Sequence, residues 1–502
     1  MSKAKKFILN TIILTITSLV LRTVYTAFGV YLSRKIGTEG LGLYKLIMSV
    51  YMFAVTLATS GIGLTTTRLV AEELANGTRN SIKAAMLRCM LFSLTCSISA
   101  AALLYNSAEF IIDKWLHGRI SPDTIYALCI SLPFLAMSTV LTGYFTAVRR
   151  VVKSSSAQFL EQFVRIILTI YLLNLLMPQG INYACLAIVL GGAVAEIFSF
   201  LFLYILYIFD KRRYRSALHT DPSLTDKMLS ISVPVALSSY IRSGLSTFKQ
   251  MIIPAGLQRH GLSVDAAMSQ YGIISGMVMP VIFFPSAFLA AISSLIIPEI
   301  AESAIQKKEG RINYMISRVH KSTLLFSVGV SGIFFFYAEE ISMMLYQSPE
   351  AGMYIRSFSP IIVVMYLDDI VDAILKGLNE QVTVVGIGIL DSLISIVLLY
   401  TLLPLLGIRG YVIAFIICEI INAMLSIGRL IKVSGFRINP IGWVFLPYVS
   451  IIAAALITRR IVPQNLILSI VTTAALYTIF LFITSSITFD DFKLNPSIRQ
   501  VR

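Results

Sequence analysis

Fourteen stretches of the chain are apolar over a long span: residues 7–33, 41–63, 84–105, 124–147, 157–177, 183–209, 228–254, 267–297, 321–345, 356–376, 384–406, 411–431, 441–458 and 464–486. A helix needs about 20 apolar residues to cross roughly 30 Å of hydrocarbon, so each run predicts a transmembrane helix. Transmembrane strands are excluded, because they would be about ten residues long and alternate in polarity. Between runs, residues 68–83 and 298–320 are long, charged and unbroken. They predict amphipathic helices at the cytoplasmic interface, with a solvated loop as the plainer alternative.

Composition turns the pattern into a class. Of 502 residues, 57% are hydrophobic and only 13% charged, against about 45–50% and about 25% in soluble domains. Mean hydropathy is +0.81. So few charges cannot cover a soluble protein of this length. The chain is a polytopic integral membrane protein, and a secreted enzyme, a nucleic-acid factor and a disordered scaffold are excluded. Net charge is +15, from 41 Lys and Arg against 26 Asp and Glu. The basic residues fall mainly in short loops, where they set topology and meet anionic lipid head groups rather than nucleic acid. Cys89, Cys96, Cys129, Cys185 and Cys418 all lie inside apolar runs, as small apolar residues do, and imply no disulfide framework.

Lys3, Lys5 and Lys6 precede the first run, but that run is too long for a signal h-region and no small-x-small site ends it. It predicts a retained helix with its N-terminus inside. In that orientation 26 Lys and Arg fall in inside loops and tails and 9 in outside loops, which fits an even number of helices and both termini in the cytoplasm. The strongest inside clusters are Lys211-Arg212-Arg213-Tyr214-Arg215 and the stretch from Lys307 to Lys321.

An internal repeat is present. Val70-Ala71-Glu72 and Ile300-Ala301-Glu302 stand 230 residues apart, as do Glu161 and Asp391. That offset equals six runs, and an even number per repeat makes the copies parallel, related by an axis along the membrane normal. The predicted fold class is therefore an all-α integral membrane protein of about fourteen transmembrane helices. It has two parallel-repeat six-helix bundles, at 1–227 and 228–438, and two C-terminal helices with a cytoplasmic tail at 439–502.

Enzyme motifs fail. Gly61-Ile62-Gly63 leads to Thr65-Thr66-Thr67-Arg68 without the Gly-Lys-Ser/Thr of a P-loop. His117, His219, His260 and His320 are scattered, and no Gly-x-Ser-x-Gly occurs. No catalytic residue, metal site or bound cofactor is expected. Gly272 to Gly276 has the small-xxx-small spacing of close helix packing. Prolines at 133, 234, 254, 280, 285 and 360 interrupt the runs, and the pair at 280 and 285 makes the eighth run the most irregular.

Charges inside the runs carry more information, because each costs several kcal/mol, about 3 on insertion scales, unless it meets water or a partner. Arg22 lies midway along the first run, and Arg242 and Lys249 lie seven residues apart in the seventh, with Ser246 near them. The first and seventh runs are equivalent under the repeat. Two bundles facing across a twofold axis would turn these cations into one cleft. Guanidinium groups grip phosphate through paired hydrogen bonds and lysine adds a point charge, so the cleft suits a pyrophosphate head group. The alternative is that each cation pairs with a structural carboxylate or snorkels. Asp368, Asp369 and Asp372 crowd the tenth run at spacings that can share a face, with Asp391 and Glu419 further on. They read either as a proton or sodium coupling site or as partners for cations of the second bundle. Glu161 and Arg165 have the i, i+4 spacing of an intrahelical pair, and Glu196 is a lone acid available to Arg22 or Arg242.

The segment Gln270-Tyr271-Gly272-Ile273-Ile274-Ser275-Gly276-Met277-Val278-Met279-Pro280-Val281-Ile282-Phe283-Phe284-Pro285-Ser286, followed by Ile297-Pro298-Glu299-Ile300-Ala301-Glu302, resembles the stage V sporulation protein B group. That group belongs to the multidrug/oligosaccharidyl-lipid/polysaccharide (MOP) flippase superfamily. Leu57-Ala58-Thr59-Ser60-Gly61-Ile62, Arg68-Leu69-Val70-Ala71-Glu72 and Ile374-Leu375-Lys376-Gly377-Leu378-Asn379 resemble it too. The resemblance extends over the whole chain in helix count and loop spacing.

It implies alternating-access translocation of an undecaprenyl-pyrophosphate-linked sugar or peptidoglycan precursor across the cytoplasmic membrane, in spore cortex synthesis. In the related peptidoglycan-precursor flippases, arginines of the first helix and central cavity matter, which the resemblance carries to Arg22. The drug-pump branch often places an acid in its first helix, whereas the charge here is Arg22. Expected partners are the lipid-linked glycan, anionic lipids and cell-wall synthesis enzymes, with no nucleic acid. Two other readings stand beside this one: a cation-coupled drug or metabolite antiporter on the same fold, and a non-transporting scaffold of a cell-wall synthesis complex.

Overall fold

The computed structural model describes residues 3–59, 61–75, 82–116, 118–211, 223–435, 441–461 and 465–488. The basic cluster beyond Lys211, His117, His219, residues 76–81 of the first charged stretch and the C-terminal tail lie outside them. The described residues are helical nearly throughout and contain no strand. They form two compact units, Met1–Gly276 and Met277–Arg502.

The N-terminal unit holds α1 (Lys3–Thr59), α2 (Ile62–Ala75), α3 (Ile82–Asn106), α4 (Ala108–Trp115), α5 (Pro122–Ala147), α6 (Val151–Leu176), α7 (Ile181–Lys211), α8 (Ser223–Arg259) and α9 (Val264–Gly272). The first two apolar runs both lie on α1. What separates them is Gly37, whose φ of 70° and ψ of −179° are not helical. Only glycine occupies that region without a Cβ penalty, so the chain kinks there without a loop. Where the first charged stretch begins, α2 buries Leu69 and Val70 and leaves Arg68 on the surface, paired at 2.9 Å with Glu72. It is amphipathic as expected.

A π-helical stretch, Ile273–Val278, follows α9. The C-terminal unit then continues with α10 (Met279–Phe283), α11 (Ser286–Ile305), α12 (Glu309–Phe336), α13 (Ala338–Tyr346), α14 (Pro349–Phe358), α15 (Ile362–Gly377), α16 (Gln381–Leu406), α17 (Ile408–Ser434), α18 (Leu446–Ile461) and α19 (Leu466–Ile483). The second charged stretch is not one interfacial helix. Its first part ends α11 and its last part begins α12, with a turn at 306–308 where Lys307 takes a positive φ of 53°. Nor are all six prolines internal. Pro133, Pro234 and Pro254 sit inside helices. Pro280 and Pro360 sit at the starts of short elements and Pro285 caps the start of α11, where a missing N–H costs least. The eighth run is broken at that pair.

Among the described residues each of the fourteen runs falls mainly on helix. Twelve helical stretches among these residues are long and apolar enough to cross a membrane, the first two runs sharing one stretch and the eighth run supplying two. The seventh run, on the charged α8, and the tenth, on the sixteen-residue α15, fall outside that count. The repeat is written into the helix boundaries. α2 and α11, α3 and α12, and α5 and α15 end 230 residues apart, and α6 and α16 match at both ends. Ser121-Pro122 and Ser348-Pro349 open α5 and α14 alike, each serine accepting a backbone N–H within the first turn.

Within the N-terminal unit, α9 crosses the second half of α1 at the level of the peptide backbones. A Cβ at Gly42 would strike the Met268 carbonyl and approach Gly272, and one at Gly272 would strike the Thr38 carbonyl and approach Gly42. Gly272 stands 230 residues beyond Gly42, and Met268 the same distance beyond Thr38, so the contact is reciprocal. It is made by equivalent positions of the two repeats. Thr38 and Ser269 hydroxyls meet beside it at 2.6 Å, and Leu41 fills the space against Gly276. The small-xxx-small spacing of 272–276 thus serves packing.

Candidate functional site

Three groups of polar side chains interrupt the apolar helices. The first is cationic. α8 is fastened to α1 by Tyr240, whose hydroxyl donates to the Leu57 carbonyl at 3.2 Å, by Thr56 and Ser243 at 3.0 Å, and by Thr247, which donates to the Ser49 carbonyl at 3.0 Å. Arg242, Ser246 and Lys249 lie on another strip of α8. The first two are exposed and Lys249 is half-buried. Arg22 is half-buried on the first half of α1.

The second group is buried among α1, α5, α6 and α7. Arg165 Nη2 lies 2.8 Å from Glu161 Oε1, the expected intrahelical pair, and 3.7 Å from Glu196 Oε1. Glu196 therefore turns to Arg165 of the neighbouring helix, a partner not anticipated for it. Only 7% of Glu196 is exposed. Its Oε2 is 2.9 Å from Tyr51 Oη, which is 2.6 Å from Ser131 Oγ, itself 2.9 Å from the Leu128 carbonyl.

The third group joins α15 to α17. Asn422 Nδ2 donates to Asp368 Oδ2 at 2.6 Å, and Ser426 donates to Asp372 Oδ1 at 3.4 Å. Asp368 is 8% exposed. Its Oδ1 and Asn422 Oδ1 are buried and have no hydrogen-bond partner among the described residues. Each is an oxygen of the kind a small cation takes as ligand. Asp369 does not join this pair: it is exposed on the other side of α15, because i and i+1 point about 100° apart on a helix. Asp391 on α16 is close enough to act electrostatically on Asp368. Glu419 is half-buried one turn before Asn422. The charge pattern flagged Asp368 and Asp372. It could not flag Asn422 and Ser426, which are neutral and 54 residues away in sequence.

Two further ion clusters hold loops to helices. Asp210, at the end of α7 and 1% exposed, accepts from Tyr144 at 2.9 Å and pairs with Lys153 at 3.4 Å and with Arg150. Arg119, before α5, bridges Glu39 at 2.8 Å and Asp265.

These polar groups sit in a known transport fold. The chain is similar to an inward-closed structure of Lipid II flippase MurJ, with a TM-score of 0.66 at 13% identity over 94% of this chain and 98% of that one. It is also similar to an inward-facing multidrug resistance MATE family transporter of the MOP superfamily, with a TM-score of 0.64 at 16% identity over 84% and 98%. At these identities the likeness is one of fold: the chain has the fold of these multi-pass membrane proteins.

Residues 7–303 match the family described as "Polysaccharide biosynthesis protein", and the chain belongs to it. Along nearly its whole length it is similar to Stage V sporulation protein B of Bacillus subtilis (strain 168), at 26% identity over 509 aligned residues and 98% of each chain.

Proposed function

We propose that this protein flips an undecaprenyl-pyrophosphate-linked peptidoglycan or polysaccharide precursor across the cytoplasmic membrane by alternating access, for spore cortex synthesis. The carrying observation is the strip of α8 that holds the exposed Arg242 and Ser246 and the half-buried Lys249. Such cations persist within a membrane where they meet water or an anion. They and Arg22 bind the pyrophosphate, while the polyprenyl tail stays in lipid. Asp368, Asp372, Asn422 and Ser426 take the coupling proton or sodium ion, with Asp391, Asp369 and Glu419 setting the surrounding negative field. Both termini face the cytoplasm.

Flipping of a labelled lipid-linked precursor in vesicles tests this. Arg22→Ala and Arg242→Ala are each expected to impair flipping at near-normal abundance. A charge-assisted contact is worth about 1.5–3 kcal/mol, or roughly 10- to 150-fold in affinity. Lysine rescues in part and glutamate is worse than alanine, because charge is kept in one and reversed in the other. Full flipping by the double alanine variant would remove the cationic strip from the mechanism. The likeness to a multidrug transporter fold supports one other reading, a cation-coupled antiporter. Drug efflux without lipid flipping in the same vesicles would decide for it.

A further inference from the structure

Around Glu196 the hydrogens do not balance unless one more is present. Three oxygen–oxygen contacts run in series: Glu196 to Tyr51 at 2.9 Å, Tyr51 to Ser131 at 2.6 Å, and Ser131 to the Leu128 carbonyl at 2.9 Å. Each contact at such a distance holds one hydrogen. If Glu196 is ionised, the two hydroxyls supply two hydrogens for three contacts, and one pair of oxygens is left facing bare in a low-dielectric site. If Glu196 is protonated, it donates to Tyr51, Tyr51 to Ser131, and Ser131 to Leu128. All three contacts are then filled by a single directed chain.

The charges point the same way. Glu161 and Glu196 share one guanidinium, and Arg165 keeps its short contact for Glu161, standing 3.7 Å from Glu196. Tyr44 of α1 also bears electrostatically on Arg165 and Glu196, and Tyr25 and Cys185 in turn on Tyr44. α5 contributes the Ser131 hydroxyl. With both carboxylates ionised the triad carries a net negative charge inside the membrane, which is costly. One proton cancels it.

We propose that Glu196 is a proton-binding site of the N-terminal unit, with Tyr51 and Ser131 as its hydrogen-bond relay. Binding is the addition of one proton from water to the carboxylate. An O–H bond forms, no bond breaks, and the Tyr51 and Ser131 hydroxyls reverse direction. The site is independent of the Asp368 pair and of what the protein transports. It gives a proton gradient a point of action on α5, α6 and α7.

Infrared difference spectroscopy on the full-length protein in an Asp368→Asn background tests it, since that background removes the buried acid of the C-terminal unit's polar group. At neutral pH a carbonyl stretch from a protonated carboxyl group is expected, shifting in heavy water as the proton exchanges. It is expected to vanish in Glu196→Gln. It should shift in frequency in Tyr51→Phe, a substitution that keeps the ring and removes only the relay hydroxyl. Added sodium leaves it in place. The proposal is overturned if no such band exists, if it survives Glu196→Gln, if Tyr51→Phe leaves its frequency unmoved, or if sodium abolishes it.

Discussion

Glu196 in the N-terminal unit and Asp368 in the C-terminal unit are both carboxyls buried on membrane helices, at 7% and 8% exposure. Their neighbours differ in kind. Glu196 has an arginine at 3.7 Å and two hydroxyls in series behind it. Asp368 has an amide at 2.6 Å, and the charges of Asp372, Asp369 and Asp391 bear on it, all negative. The two repeats share helix boundaries closely and do not share this chemistry. The duplicated scaffold thus carries one buried carboxyl beside a cation and one among other acids.

The comparison breaks most visibly at Arg165. Arg165→Ala leaves two acids without their guanidinium, and losing one partner of a buried pair costs about 3–5 kcal/mol. A marked fall in abundance and melting temperature is expected, against little change for the exposed Arg242→Ala. Equal behaviour of the two variants would erase the distinction between a structural and a solvent-facing arginine.

Asp368 is expected to respond in the opposite sense. Asp368→Asn removes a buried acid whose strongest neighbours repel it, so the protein stays folded while flipping loses its dependence on the ion gradient. A cation held there stabilises the wild type by about 2.7 kcal/mol at a hundredfold excess over its Kd. The corresponding rise in melting temperature with sodium, or with acid if the ion is a proton, should vanish in Asp368→Asn and in Asn422→Leu. An unchanged rise would locate the ion elsewhere.

A smaller effect tests where the repeats do coincide. Gly42→Ala and Gly272→Ala each push a methyl group into backbone of the facing helix, and overpacking costs about 1–3 kcal/mol. The two losses should be similar, because the contact is reciprocal. Gly386→Ala, which enters open space, is the control and should leave the melting temperature unchanged.

The smallest concerns Glu380, in the turn between α15 and α16. Arg429 donates to it twice, at 2.6 and 3.2 Å, and Thr383 once. These hydrogen bonds hold its carboxyl below the usual carboxylate range. A depressed folded value means the stabilisation is present above the ordinary carboxylate pKa and is lost as pH falls through the folded one. Glu380→Gln should therefore lower the melting temperature slightly at neutral pH, and the difference should close on acidification below that range.

Helix positions were legible because hydrophobic runs of membrane length have few alternatives. The repeat was legible because charged residues are rare enough for a shared offset to stand out. Gly37 was not recognised as a kink within one helix, since a polar interval between two runs looks the same whether it turns or bends. The acids of the tenth run were visible as charges. Which of them pair was not, because Asp368 and Asp369 differ only in rotation and their partners on α17 are uncharged. For the same reason Glu196 could be noticed and its relay could not: Tyr51 and Ser131 come from two other helices and are ordinary residues in an apolar sequence.

The reciprocal crossing of Gly42 and Gly272 also bears on how the protein is made. The face of α1 that receives α9 is synthesised before its cover, which is encoded more than 200 residues later. Until synthesis has passed Gly276, the Thr38 and Met268 carbonyl faces have not met, and the N-terminal unit is incomplete. A nascent chain halted after its sixth apolar run would leave the Gly42 face of α1 without its cover, a recognisable signal for membrane quality control.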